Sequence, residues 1–228
     1  MVPPADRPEV PKRPVVAAGV DLAALSEREV DPDPFVQFAA WFADHRATAA
    51  PHEEVDAVTI ATADADGHPS ARVVLMRGFD ERGFCFYTNY ESRKGRELAA
   101  NPHAAAVWHW PALRRQVRAV GPVERVAASE SDAYWYRRPV ASRFSARASE
   151  QSRPVSDRSA LEEAAATEEA AFAGADPAAV GRPDHWGGYR LVPVEVEFWL
   201  HRDDRLHDRI VHRRTGPGSH WTVVRLQP

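Results

Sequence analysis

Four short stretches place cations and hydrogen-bonding side chains where a strand or a helix is expected to begin or end. The first, Arg72-Val73-Val74-Leu75-Met76-Arg77, reads as a strand. Side chains alternate along a strand, so Arg72 and Arg77, five apart, face opposite sides. One strand can then offer a cation to each of two anionic sites, or leave both as solvated strand ends. The second, Tyr87-Thr88-Asn89-Tyr90-Glu91-Ser92-Arg93-Lys94, passes from strand to helix near Ser92, with two cations in the first turn. Cations there oppose the helix dipole. A phosphate docked at that N-terminus reverses the sign, using free N–H groups and both side chains, and a solvated basic turn is the alternative. The third, Arg205-Leu206-His207-Asp208-Arg209, puts Arg205, His207 and Arg209 on one face if it is extended. Three such groups repel one another unless an anion or an electron-rich ring lies across them; the alternative is a solvent-facing strand. In the fourth, Tyr134-Trp135-Tyr136-Arg137-Arg138-Pro139 with Ser142, Tyr134 and Arg138 form an i, i+4 helical pair. With Ser142 they offer a phenol, a guanidinium and a hydroxyl to a small phosphate, or Arg138 simply lies over a packed Tyr134.

Other chemistries are excluded or unsupported. A single cysteine, Cys85, leaves no disulfide framework and no cysteine-based metal site within one chain, and no metal is expected. There is no G-x-G-x-x-G, Walker loop, G-x-S-x-G elbow or H-E-x-x-H. The net charge of −4 gives no basic excess for nucleic acid. No apolar run approaches a membrane span, and the start of the chain lacks signal-peptide order, so a cytoplasmic protein without membrane or nucleic-acid partners is expected. Only Lys12 and Lys94 among the 29 basic residues are lysines. This bias towards arginine makes a retained lysine the more informative cation.

The elements that must position these groups follow from pattern. Residues 1–33 hold six of the 19 prolines and no apolar periodicity, which predicts an extended, mobile N-terminal arm ahead of a single domain at 34–228. Asp33-Pro34 is an N-cap followed by proline at the first helical position. Phe35, Phe38, Phe42 and His45 recur at helical spacing, predicting a helix over 34–48. Strands are predicted at 55–62, 71–77, 84–88, 104–110, 116–126, 188–192, 194–201, 207–213 and 221–226. Turns fall at Asp64-Ala65-Asp66-Gly67 and Asp80-Glu81-Arg82-Gly83. A short helix runs from Ser92 towards Asn101-Pro102, and further helices are predicted at 129–137, capped by Ser129, and at 157–172. Many short strands at hairpin spacing with helices between them indicate an α+β domain built on an antiparallel barrel.

The same residues carry a resemblance. The ordered series Arg72-Val73-Val74-Leu75, Phe86-Tyr87-Thr88-Asn89, Ser92-Arg93-Lys94, Arg115-Gln116-Val117, Arg138-Pro139, Gln151-Ser152, His185-Trp186-Gly187-Gly188 and Glu197-Phe198-Trp199 through Arg205-Leu206-His207-Asp208-Arg209 resembles the pyridoxine/pyridoxamine 5′-phosphate oxidase family, from about Asp33 to Arg225-Leu226-Gln227-Pro228. The resemblance implies an FMN-binding split barrel that works as a homodimer with shared active sites. It implies FMN held by Arg72, Val73, Val74, Leu75, Met76, Arg77, Tyr87, Thr88, Arg93, Lys94, Gln116, Gln151, Ser152, Trp186 and Arg209. It implies a substrate phosphate against Arg77, Tyr134, Arg138 and Ser142, with Arg205 and His207 over a pyridine ring. The implied reaction moves a hydride from C4′ of pyridoxine or pyridoxamine 5′-phosphate to the flavin, which O2 reoxidises to give hydrogen peroxide and pyridoxal 5′-phosphate. Of the two groups over the ring, Arg205 is expected to orient it and a neutral His207 to accept a proton or a hydrogen bond. Arg77 stands where the family usually has lysine, Arg147 where a tryptophan is common, and no tyrosine precedes Tyr87. The alternatives are a related flavin oxidase of the phenazine-pathway type, acting on a reduced aromatic ring, and a non-catalytic flavin-binding protein.

Overall fold

Apolar residues that alternate along six strands need one shared interior, and the chain supplies it by closing a ring. The structure is a computed structural model and describes residues 24–228. The strands are β1 (Ala57–Ala63), β2 (Pro69–Asp80), β3 (Gly83–Asn89), β4 (His103–Trp110), β5 (Arg115–Arg125), β6 (Trp186–Leu191), β7 (Glu195–Leu200), β8 (Asp208–Arg213) and β9 (Thr222–Arg225). The sheet runs β4-β1-β2-β3-β6-β5-β7-β8-β9, and β4 pairs again with β5, which closes β4, β1, β2, β3, β6 and β5 into an antiparallel barrel. The expected α+β split-barrel class is thus observed.

β5 is the strand at which the barrel splits. One edge pairs with β4 from Arg115 to Pro122. The other edge is shared: β7 takes Arg115 to Val120, and β6 takes Val123 to Arg125. The hand-over falls at Gly121, where a Cβ would stand 2.2 Å from the Val192 carbonyl oxygen, so only glycine lets the two backbones approach. β8 and β9 extend the sheet beyond β7.

Helix α1 (Pro34–Thr48) matches the predicted span, and the Asp33 Oδ1 accepts the Phe35 N–H at 2.8 Å. Its Phe35, Phe38, Trp41 and Phe42 are buried against Phe84, Trp108 and Trp110 of the barrel and Phe198 of β7. The remaining helices are α2 (Arg93–Ala100), α3 (Ala128–Arg137), α4 (Val140–Ala148) and α5 (Arg158–Ala171). Three sequence expectations change. α3 begins at Ala128 with no side-chain cap, so Ser129 lies inside the helix. α4 was not foreseen: it is only nine residues long, and Phe144 is its one large apolar residue besides Val140. The stretch expected to be extended from Arg205 is a turn through Asp203–Arg205, and β8 starts only at Asp208; Arg205 sits at φ 67°, so strand alternation does not put it on the face of Arg209.

Residues 1–23, most of the segment read as an arm, lie outside the described residues. Residues 24–33 are docked on β8 and β9. The Leu25 N–H donates to Asp208 Oδ2 at 3.2 Å, Arg225 donates to the Leu25 carbonyl at 2.6 Å and to Glu27 Oε1 at 2.8 Å, and His212 Nε2 lies 2.8 Å from the Asp31 carbonyl. Among the described residues no helix is long and apolar enough to cross a membrane.

Candidate active site

β3 ends at Asn89, and the chain turns directly into α2. Ser92 caps that helix: its Oγ accepts the Gly95 N–H at 3.3 Å and donates to the Asn89 carbonyl at 2.7 Å. Lys94 therefore points back towards β3 and is buried, as are Thr88, Asn89 and Ser92. Its ammonium donates to Thr88 Oγ1 at 2.9 Å, Gln151 Oε1 at 2.8 Å and Ser92 Oγ at 3.3 Å. All three acceptors are neutral. Burial, then the nearby Arg72 charge, pull the Lys94 pKa down to about 8.

The two guanidiniums beside it are already spoken for. The buried Glu97 accepts from Thr62 Oγ1 at 2.5 Å, Ser70 Oγ at 2.6 Å, Arg93 Nε at 2.8 Å and Arg72 Nη2 at 3.3 Å. Burial works against its ionisation, but these hydrogen bonds outweigh that and hold its pKa at about 2. Glu97, Thr62 and Ser70 were not singled out from sequence; Arg93 and Glu97 at i, i+4 on α2 were the available signal.

Next to Lys94 opens a cleft of about 370 Å³, lined by Tyr87, Thr88, Arg138, Ser142, Gln151 and Trp186 together with Asn89, Ser145, Ala146 and Ser149. Six residues singled out from sequence meet here. The four others belong to the β3 end, the unforeseen α4 and the segment after it. Tyr87 and Tyr134 stack at 4.1 Å, and Tyr87 lies 5.8 Å from the Trp186 ring, so three aromatic planes stand nearly parallel. Burial pushes the Tyr87 phenol up to about 12. α3 ends before Arg138, so the helical pair with Tyr134 gives way to another arrangement: the guanidinium lies 4.6 Å from the Trp186 ring centre and donates to the Ser142 carbonyl at 2.9 Å. Ser152, at φ 74°, follows Gln151 on the exposed side.

Other sequence candidates lie elsewhere. Arg77 sits at a bulge in β2, exposed, with Asp56 Oδ2 at 3.0 Å. Val73 is exposed, Val74 and Leu75 are half-buried, and Met76 points into the core. Gln116, Trp199 and Arg209 face one another across β5, β7 and β8. Arg209 donates to the buried Glu197 at 2.6 Å, and Arg118 donates to the same carboxylate at 2.6 Å. The His207 ring packs 4.7 Å from Trp199, while Arg205 is exposed on its turn. None of Gln116, Arg205, His207 and Arg209 lines the cleft. The candidates thus form two patches on one chain.

A buried ammonium hydrogen-bonded, among the described residues, to neutral oxygens, a capped helix start and stacked aromatic planes suit a flat ligand carrying a phosphate. The profile of a family described as pyridoxamine 5′-phosphate oxidase matches residues 45–170. A second profile, described as the pyridoxine 5′-phosphate oxidase C-terminal dimerisation region, matches residues 186–228. A relative from Cupriavidus necator, a pyridoxine/pyridoxamine 5′-phosphate oxidase by name, is 54% identical over 207 residues, covering 91% of this chain and 94% of its own. The chain belongs to the pyridoxine/pyridoxamine 5′-phosphate oxidase family. A like-named relative from Ralstonia nicotianae is 53% identical over 206 residues, covering 90% of this chain and 94% of its own. Among solved structures, PhzG from Burkholderia lata in complex with tetrahydrophenazine-1-carboxylic acid is similar with a TM-score of 0.81 at 33% identity, over 91% of this chain and 99% of that one. A pyridoxamine 5′-phosphate oxidase-related protein from Nostoc punctiforme shares the fold with a TM-score of 0.66 at 20% identity, over 88% and 99% of the chains. The match of residues 186–228 to the family's dimerisation region supports a homodimer.

Proposed function

We propose that this protein is an FMN-dependent oxidase that converts pyridoxine or pyridoxamine 5′-phosphate to pyridoxal 5′-phosphate, with O2 as the final acceptor. The observation that carries the proposal is the 54% identity to a pyridoxine/pyridoxamine 5′-phosphate oxidase over nearly the full length of both chains. The donor set agrees with it. Among the described residues Lys94 is hydrogen-bonded to neutral oxygens, which makes it the group to hold the FMN phosphate, with Arg72 and Arg93, each also paired with Glu97, adding positive charge beside it. Tyr87, Thr88, Gln151 and Trp186 line the cleft on that side, and the exposed Ser152 follows Gln151 in the chain as a further candidate contact. When bound, FMN supplies the hydride acceptor. The chain's own residues bind and orient. Arg138, Ser142 and Tyr134 take the substrate phosphate, with Arg77, outside the cleft lining but close enough to act on the Arg138 charge, as a further cation, while Arg205 and His207 address the pyridine ring.

Gln116, Arg209, Arg205 and His207 belong to the patch outside the cleft, and in our reading a second copy of the chain brings them to it. Each site of the homodimer is then built from both subunits. A second reading, oxidation of a reduced phenazine-type ring, draws on the likeness to PhzG. The lower identity of 33%, and Arg138 and Ser142 lining the cleft where a substrate phosphate is expected, rank it second. The purified protein, incubated with pyridoxine 5′-phosphate in air, is expected to form pyridoxal 5′-phosphate and hydrogen peroxide in equal amounts. No pyridoxal 5′-phosphate, but turnover of a dihydrophenazine carboxylate, would favour the second reading.

A further inference from the structure

His207 was expected to accept a proton or a hydrogen bond, and its surroundings argue for a different role. The ring lies between Trp199, at 4.7 Å, and His201, at 4.9 Å. The backbone N–H of Arg202 donates to His207 Nδ1 at 3.0 Å. A turn sets that N–H in place: the Arg205 N–H closes onto the Arg202 carbonyl at 3.2 Å, Arg205 takes φ 67°, and the Leu206 N–H donates to Asp204 Oδ1 at 2.9 Å. The turn and the ring are therefore tied to each other through the Arg202 amide.

A ring nitrogen that accepts an N–H cannot carry a hydrogen of its own. In neutral His207 the hydrogen must then sit on Nε2. Nδ1, the basic nitrogen, is occupied by Arg202, and Nε2 has no lone pair to offer. Among the described residues no hydrogen-bond partner engages Nε2. Building on the reading of His207 as a substrate contact, we propose that it acts as a fixed hydrogen-bond donor through Nε2 to an acceptor atom of the bound pyridine, and that it takes no proton during the oxidation. The Arg202 amide is the positioning group that selects this tautomer.

Amide side chains separate the two roles. Gln can place an N–H where Nε2–H stands, Asn cannot reach that far, and Ala offers nothing; none of the three is a base. The test is anaerobic stopped-flow reduction of the FMN-loaded full-length protein by pyridoxine 5′-phosphate, with retained FMN checked in each variant. A donor predicts His207→Gln within about threefold of the parent, and His207→Asn and His207→Ala slower by about ten- to a hundredfold, the range of a lost hydrogen bond to a charged or polarised group. A general base predicts that all three fall together by about a hundred- to ten-thousandfold. Equal loss in all three, or no loss in any, overturns the proposal. Long-range proton–nitrogen NMR on histidine-labelled protein, with His207 assigned by the Gln variant, is expected to show the Nε2–H tautomer, and an Nδ1–H pattern overturns it. Should the parent protein fail to oxidise pyridoxine 5′-phosphate, the functional reading fails, and the NMR result still decides the tautomer.

Discussion

Lys94 concentrates the electrostatics of the site. Its neighbour Glu97 is shared among four donors, so the ammonium is left with neutral partners and a pKa near 8 rather than 10.5. An anion in the cleft needs the protonated form. Affinity for FMN is therefore expected to be full at pH 7 and to weaken as pH rises through about 8, above the phosphate's own pKa of about 6. Lys94→Met is expected to bind FMN about ten- to a hundredfold more weakly at pH 7, and with no such decline between pH 7 and 9. Fluorescence titration of FMN over that range measures both effects. For the cofactor-free fold the sign reverses: the unfolded lysine keeps its proton to about 10.5, so between 8 and 10.5 the unfolded state binds more protons and this group adds stability as pH rises. In the sequence Lys94 already stood out as one of two lysines at a helix start, but the neutrality of its acceptors was not legible. It depends on Gln151, 57 residues away, and on Glu97 being claimed by β1 and β2.

At the scale of elements, α2 is set by contact as much as by its cap. A Cβ on Gly95 would meet the Tyr90 carbonyl oxygen at 2.0 Å and its carbon at 2.4 Å, both backbone atoms that cannot swing aside. Alanine would gain about 1 kcal/mol of helix propensity. Overpacking against fixed backbone costs about 1–3 kcal/mol, so the clash should win and displace the helix start that carries Lys94. Gly95→Ala is thus expected to lower the urea midpoint and weaken FMN binding together; unchanged affinity would show that the helix start is not what holds the phosphate. Strands and hairpin turns were legible because apolar alternation and turn residues are local signals, and β1 to β3 fall within a few residues of their predicted bounds. α4 was not, since its buried Arg143 donates to the carbonyls of Tyr136, Arg138 and Pro177, partners that no periodicity reveals. The Arg205–Arg209 face failed for a related reason: the turn that reverses Arg205 is set by hydrogen bonds among residues 202–206 without any glycine to announce it.

In the whole molecule, the two patches invite a mixing experiment. Pairing a Lys94→Met chain with a His207→Ala chain should rebuild one intact site in each mixed dimer, because both defects then fall in the other site. Random exchange of equal amounts makes half the dimers mixed, so activity should recover to about a quarter of the parent value. Two impaired variants whose activity stays at the unmixed level after verified exchange would place each site within one chain. The docked segment at 24–33 bears on something else, how the chain is made. Glu27 pairs with Arg225, 198 residues later, and Leu25 is held by Asp208 and Arg225. These long-range contacts cannot form until β8 and β9 exist, and the ring that precedes those strands cannot close until β6 arrives. Such long loops must be closed before the contacts repay their entropy, which slows folding. Asp31 and Asp33 can bond to α1 as soon as that helix forms, but the contacts of Leu25 and Glu27 must wait for nearly the whole chain to leave the ribosome, so the first described residues are among the last that can reach their final place.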